Sequence, residues 1–166
     1  GYAHPVSIRL GITSPFGNFL PITHPNQYQF HPLLGAIPSP EFKGENFSHT
    51  LHGTRSVNPE FDGEKPHIAV FGGSTTYDLG ITKDQNTWVS QLNKLLPSYS
   101  FSNNGVPGYS SAEHVVQTAF YAARGGSLPI CSIYYIGWND IRSFGFDELD
   151  SGFANFHLLS QYGSLR

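Results

Sequence analysis

Three short stretches of the chain hold the residues best suited to chemistry: FGGSTT, NNGVPGYS and IGWND. In the first, Ser74 follows two glycines, which permit a tight turn that presents the serine hydroxyl. In the others, the Gly108 backbone N–H and the Asn139 side-chain amide are hydrogen-bond donors. A serine hydroxyl beside several converging donors is the arrangement needed to attack a carbonyl carbon and stabilise the resulting oxyanion.

Each stretch also has a simpler interpretation when it is taken alone. Gly-Gly-Ser after a strand is common in turns and in phosphate-binding loops. Gly108 alone is typical of a turn, and Asn139 with Asp140 is typical of a cap or turn pair. The order of the three stretches, one after each successive strand, is what favours a shared site.

An alternation of strands and helices is predicted from His67 onward. Strands are predicted at 68–71, 99–102 and 130–136, with a glycine loop over 103–109. This alternation predicts an α/β fold with a parallel sheet and right-handed crossovers. Because ligands bind outside the carboxyl ends of parallel strands, the three stretches are expected at one edge of the sheet.

Helix signals separate these strands. Asp84 or Asn86 can cap a first helix, which Pro97 ends. Its apolar residues share one face: Trp88, Leu92, Leu95 and Leu96. Ser110 and Glu113 form a capping-box pattern for a second helix, which Gly125 and Gly126 stop. The apolar residues of that helix are Val115, Val116, Ala119, Phe120 and Ala123.

Residues 1–66 differ in composition from residues 67–166. Seven of the twelve prolines precede residue 41, so long helices are not expected there. We interpret 1–66 as a proline-rich irregular arm suited to packing on a neighbouring protein, and 67–166 as the α/β domain.

Composition excludes several classes of function. The formal net charge of −3 and the lack of basic runs give no electrostatic basis for binding nucleic acid. No apolar stretch approaches the roughly 18–20 residues that span a bilayer. The single cysteine, Cys131, excludes an internal disulfide, and its apolar neighbours predict a buried structural thiol.

The three stretches together resemble the first three sequence blocks of the SGNH (GDSL-type) hydrolase superfamily, over about 67–142. The first block reads GGST rather than GDS. The resemblance implies a flavodoxin-like three-layer sandwich and metal-free ester hydrolysis without a cofactor. It implies that Ser74 is the nucleophile and that Gly108 and Asn139 join the Ser74 N–H in an oxyanion hole.

The family's general base, a histidine in a final Asp-x-x-His block, has no counterpart in this sequence. The nearest similar stretch, Glu64 to His67, enters the first strand at the opposite end of the sheet. His157 has Ala154 three residues before it, and it is a weak candidate. We therefore expect the α/β core to be incomplete, with one open sheet edge and exposed apolar surface.

The remaining histidines have ordinary interpretations. His49 and His52 form an H-x-x-H pair without a third metal ligand, which predicts satisfied surface or turn histidines. His114, on the helix after the glycine loop, has two interpretations: it borders the site, or it packs on the surface of its helix, and we favour the second. His4, His24 and His31 lie in proline-rich sequence without a pattern.

Two functions stay open at this point. The first is serine hydrolysis of a small acyl ester, with an ester on a carbohydrate as one alternative. The second is a non-catalytic SGNH-like subunit of a larger assembly, in which a protein partner covers the open sheet edge; a membrane-associated assembly is one alternative. An extracytoplasmic location, periplasmic or membrane-anchored, is expected from anchored relatives with similar lead segments. A nucleotide- or flavin-binding module is disfavoured, since neither G-x-G-x-x-G nor a P-loop lysine follows the first strand.

Overall fold

A computed structural model describes residues 26–45 and 47–144, and these form a mixed α/β arrangement. The strands are β1 (Tyr28–His31), β2 (Gly35–Pro38), β3 (His67–Gly72), β4 (Ser100–Gly105) and β5 (Cys131–Tyr135). The helices are α1 (Ser74–Tyr77), α2 (Trp88–Leu95), α3 (Ser111–Tyr121) and α4 (Trp138–Phe144). Short 3₁₀ turns cover Asp84–Asn86 and Ala122–Gly125.

The central feature is a three-stranded parallel sheet in the order β4-β3-β5. Val70 of β3 lies opposite Asn103 of β4 and Ile133 of β5. The middle strand is buried along its whole length, as its apolar run predicts. The predicted alternation of strand and helix, and the α/β class that it indicates, are confirmed.

β4 is longer than predicted, because Asn103 to Gly105 belong to the strand and not to the following loop. Asparagine is uncommon inside strands, but both asparagines here are buried and hydrogen-bonded. Asn103 donates from Nδ2 to the Thr76 carbonyl at 2.8 Å, and Asn104 donates from Nδ2 to Ser102 Oγ at 2.8 Å. Partners supplied by the tertiary structure therefore override the local preference for a loop.

The start of α2 also differs from the prediction. Neither Asp84 nor Asn86 caps it; Thr87 is the N-cap, and its hydroxyl accepts from the Ser90 N–H at 3.2 Å. Asp84 instead binds Ser48 and Arg55, which belong to residues 1–66, here called the lead segment. Trp88 and Leu92 pack against the apolar cluster of Val57, Ile68, Val70, Val89 and Phe101. Leu95 and Leu96 of the predicted face are exposed.

α3 begins with the predicted capping box, in which Ser110 and Glu113 each accept from the other's backbone. Its buried side chains are polar: Glu113, His114 and Gln117. Among its apolar residues, Val116 packs against a second cluster while Val115 and Phe120 are exposed. This polar face is buried because β4 offers it hydrogen-bond partners. For example, Gln117 Nε2 donates to the Asn104 carbonyl at 3.4 Å.

The described part of the lead segment packs on the α/β part of the same chain. β1 and β2 form an antiparallel hairpin, and Leu34 and Ile37 share a cluster with Val106 and Tyr109. Val57 belongs to the cluster under α2. Contact of the segment with a neighbouring protein remains a prediction, as does a division of the chain at residue 66.

The outer side of β5 is the open part of the structure. Among the described residues β5 pairs only with β3, and Cys131 at its start is exposed, so the prediction of a buried thiol is wrong. Apolar side chains exposed on and near β5 include Leu128, Ile130, Tyr134, Tyr135, Ile136, Trp138 and Ile141.

No helix within 26–45 and 47–144 is both long and apolar enough to cross a bilayer.

The central cluster is predicted to dominate stability. Phe101 is 0% exposed, whereas Phe30 in β1 is 82% exposed. Phe101→Ala should lower the free energy of unfolding by about 3–5 kcal/mol through lost burial and a cavity. Phe30→Ala should change it by less than about 0.5 kcal/mol. Urea unfolding measures the free energy of unfolding of both variants. Similar losses in Phe101→Ala and Phe30→Ala would contradict the assigned core.

Candidate functional site

Ser74 is the first residue of α1 and lies just beyond the carboxyl end of β3. Gly73 is the N-cap, and its carbonyl accepts from the backbone N–H groups of Thr76 at 3.1 Å and Tyr77 at 3.0 Å. Ser74 is half-buried, while the neighbouring Thr75 is exposed. The sequence therefore places a serine hydroxyl at a sharp strand-to-helix turn, as predicted.

The three stretches meet at this edge. A Cβ added to Gly73 would lie 2.6 Å from Asn139 Nδ2, so only glycine lets the third stretch approach the first so closely. The same Nδ2 donates to the Tyr109 carbonyl at 2.7 Å, which joins the third stretch to the second. Gly108, beside Tyr109, has a φ of +90°, which glycine adopts without strain. The structure brings these three segments together, while the catalytic roles of Ser74, Gly108 and Asn139 remain predictions.

Asp140 makes contacts at this edge that its local sequence does not indicate. Its Oδ1 accepts from the Ser111 backbone N–H at 3.0 Å and makes a short contact with the Ser111 hydroxyl. This carboxylate therefore ties the first turn of α4 to the first turn of α3 and holds the adjacent Asn139 at the edge. The local sequence indicates only a cap or turn pair for Asp140, because its partner lies 29 residues away in the sequence.

No histidine within the described residues is hydrogen-bonded to the Ser74 hydroxyl. His67 begins β3 at the opposite end of the sheet, as expected, and contacts the Ser127 carbonyl and Ser102 Oγ, each at 2.7 Å. His49 is buried, which corrects the expectation of a surface or turn position; its Nε2 lies 2.7 Å from the Tyr77 hydroxyl. His4, His24 and His157 lie outside the described residues.

His114 is buried beneath the second stretch, at 1% exposure, and not on a helix surface as predicted. Its Nδ1 is 2.8 Å from Gln117 Oε1, and its ring faces Tyr109 at 5.8 Å. Among the described residues, its Nε2 has no hydrogen-bond partner. Burial lowers the pKa of His114, and the Gln117 bond and the Asp140 charge act in the opposite direction.

Within the described part of the chain, no group of three or more histidine, cysteine, aspartate or glutamate residues could hold a metal ion. Neither a protein-family model nor a curated protein sequence matches this chain.

The buried His114 should make stability depend on pH. Because its folded pKa lies below 6.5, the unfolded chain binds more protons, and stability should fall as the pH drops below 6.5. His114→Gln should lose this part of the pH dependence, whereas His52→Gln, at an exposed position, should keep it. Urea unfolding at pH 7 and pH 5 measures the difference. Equal pH dependence of the wild type and His114→Gln would contradict the assignment.

Proposed function

We propose that this protein is a serine ester hydrolase of the SGNH (GDSL-type) kind, acting through an acyl-enzyme on Ser74. The observation that carries the proposal is the position of the Asn139 amide, which lies against Gly73 and is bonded to the Tyr109 carbonyl. This position sets a side-chain donor beside the residue that precedes the nucleophile. The Ser74 and Gly108 backbone N–H groups complete the proposed oxyanion hole.

The proposed reaction follows the usual order of serine acyl transfer. Ser74 Oγ attacks the ester carbonyl carbon while a base takes the hydroxyl proton, and the carbonyl oxygen becomes an oxyanion held by the three donors. The intermediate then expels the alcohol, which receives the proton, and leaves an acyl group on Ser74. Water attacks this acyl group by the same route and releases the carboxylic acid.

The proposal assigns the role of base to none of His49, His67 and His114. The ring of His49 contacts the Tyr77 hydroxyl, that of His67 contacts Ser102 Oγ, and that of His114 contacts Gln117 Oε1. His114 is also enclosed beneath the second stretch. The substrate class remains a small acyl ester, with a carbohydrate ester as one possibility. A location outside the cytoplasm stays a prediction.

A second function is favoured by the exposed surface near β5. Its apolar side chains, including Ile130 and Ile141, are of the kind that a protein partner covers. A non-catalytic SGNH-like subunit of a larger assembly would use this surface and would not need an active Ser74. The two functions differ in whether the serine is reactive.

The first test is covalent labelling of the natural, full-length protein with a fluorophosphonate probe, which reacts with activated serines. Labelling should occur and should be lost in Ser74→Ala. Thr75→Ala is the matched control, because it removes the neighbouring exposed hydroxyl. It should label like the wild type. Labelling that persists in Ser74→Ala would exclude this nucleophile, and no labelling of the wild type would favour the non-catalytic subunit.

The second test concerns the Asn139 amide, which is the side-chain donor of the proposed oxyanion hole. Asn139→Ala should lower kcat for a p-nitrophenyl ester by about a hundredfold to a thousandfold, since one oxyanion donor contributes about 3 kcal/mol. Asn86→Ala removes an amide from an exposed position and should leave kcat unchanged. Steady-state kinetics on the full-length protein measures both. An Asn139→Ala variant with the kcat of the wild type would remove Asn139 from the oxyanion hole.

A further inference from the structure

We infer that Arg55, from the segment before the α/β part, is a positioning residue for Ser74, because it holds the end of the helix on which Ser74 lies. The inference rests on the proposed function. It comes from an unusual feature of α1: carbonyls along the helix accept hydrogen bonds from side chains of three different segments.

α1 is too short to be stable by itself. It has four residues, and a helix leaves its last four carbonyls without partners inside the helix. Isolated helices even three times longer are only marginally stable in water. The position of Ser74 therefore depends on groups that bind α1 from outside.

These groups are identified by their contacts. The indole Nε1 of Trp88 donates to the Thr75 carbonyl at 3.0 Å, and Asn103 Nδ2 donates to the Thr76 carbonyl at 2.8 Å. Arg55 Nη1 donates to the Tyr77 carbonyl at 3.1 Å. The Ser74 carbonyl itself accepts from the Leu79 backbone N–H at 2.9 Å. Every carbonyl of α1 is thus held at a fixed position.

Arg55 is itself firmly fixed. It is the largest fully buried side chain among the described residues, at 1% exposure. Its Nε donates to Asp84 Oδ1 at 2.8 Å and its Nη2 to the Ile81 carbonyl at 3.1 Å. Its guanidinium also lies over the Phe47 ring, 4.8 Å from the centroid.

Asp84 and the backbone of Arg55 link the buried guanidinium to the lead segment and to β4. Asp84 Oδ2 accepts from the backbone N–H and the hydroxyl of Ser48, at 3.0 and 2.8 Å. The Arg55 backbone N–H donates to the Asn103 carbonyl at 3.0 Å, and Asn103 in turn binds α1. The lead segment, β4 and α1 are therefore joined through one buried cation.

Lysine could not replace Arg55 here. The planar guanidinium reaches Asp84, Tyr77 and Ile81 in three directions, whereas an ammonium is a compact group on a flexible stem. Releasing the Tyr77 carbonyl would let α1 shift, and a displacement of about 1 Å at a reacting atom can slow a reaction about a hundredfold.

The experiment compares the rate of fluorophosphonate labelling of Ser74 in the full-length wild type, Arg55→Lys and Trp88→Phe. Both variants should label about tenfold to a hundredfold more slowly, with kcat for an ester reduced and KM little changed, because neither residue is proposed to touch substrate. Lys65→Gln is the control. It breaks the exposed Lys65–Asp62 ion pair and should label at the wild-type rate.

Hydrogen exchange of peptides covering 74–81 supplies a readout that does not depend on activity. Exchange of these amides should be faster in both variants, while exchange in β3 stays slow. If Arg55→Lys does not fold, Trp88→Phe carries the same test, since it keeps an aromatic side chain in contact with the core and removes the indole N–H that donates to the Thr75 carbonyl.

The possible outcomes distinguish the proposed esterase function from the positioning role of Arg55. A wild type that is not labelled at Ser74 would refute the proposed function. A labelled wild type whose two variants label at the same rate, or whose 74–81 amides exchange as before, would overturn the positioning role alone. Slower labelling together with faster local exchange would support it.

Discussion

The buried guanidinium of Arg55 is the constraint on which the rest of the structure depends. Withdrawing a cation from water is unfavourable unless a counter-charge and hydrogen-bond acceptors surround it. Asp84 and the carbonyls of Tyr77 and Ile81 supply these, and they all lie in the α/β part. Because losing one partner of such a buried pair typically costs about 3–5 kcal/mol, the lead segment and the α/β part stabilise each other.

Directed polar contacts join the loops at the candidate site to one another. Asn139 is bonded to the Tyr109 carbonyl, and Asp140 is bonded to Ser111. The face of α3 that meets β4 is likewise built from hydrogen-bonded polar side chains. Hydrogen bonds are directional, so they fix orientation where apolar contacts would tolerate sliding. This property suits a site that must hold several donors around one developing charge.

The open side of β5 adjoins the candidate site. Tyr135 ends the strand, Trp138 begins α4, and Asn139 follows at once. Both aromatic side chains are exposed, and Tyr135 also faces the ring of Trp88 at 6.4 Å. A partner that covered this surface would therefore lie next to the proposed nucleophile.

The sequence by itself determined the three sheet strands, the capping box of α3 and the placement of Ser74, Gly108 and Asn139 at one edge. These follow from local periodicity and from the geometry of parallel crossovers, which require only neighbouring residues. Only the tertiary structure decided the length of β4, the Thr87 cap, the exposure of Cys131 and the contacts of Arg55 and Asp140. The decisive partners of Arg55 and Asp140 lie more than twenty residues away along the chain, and no local pattern encodes such pairs.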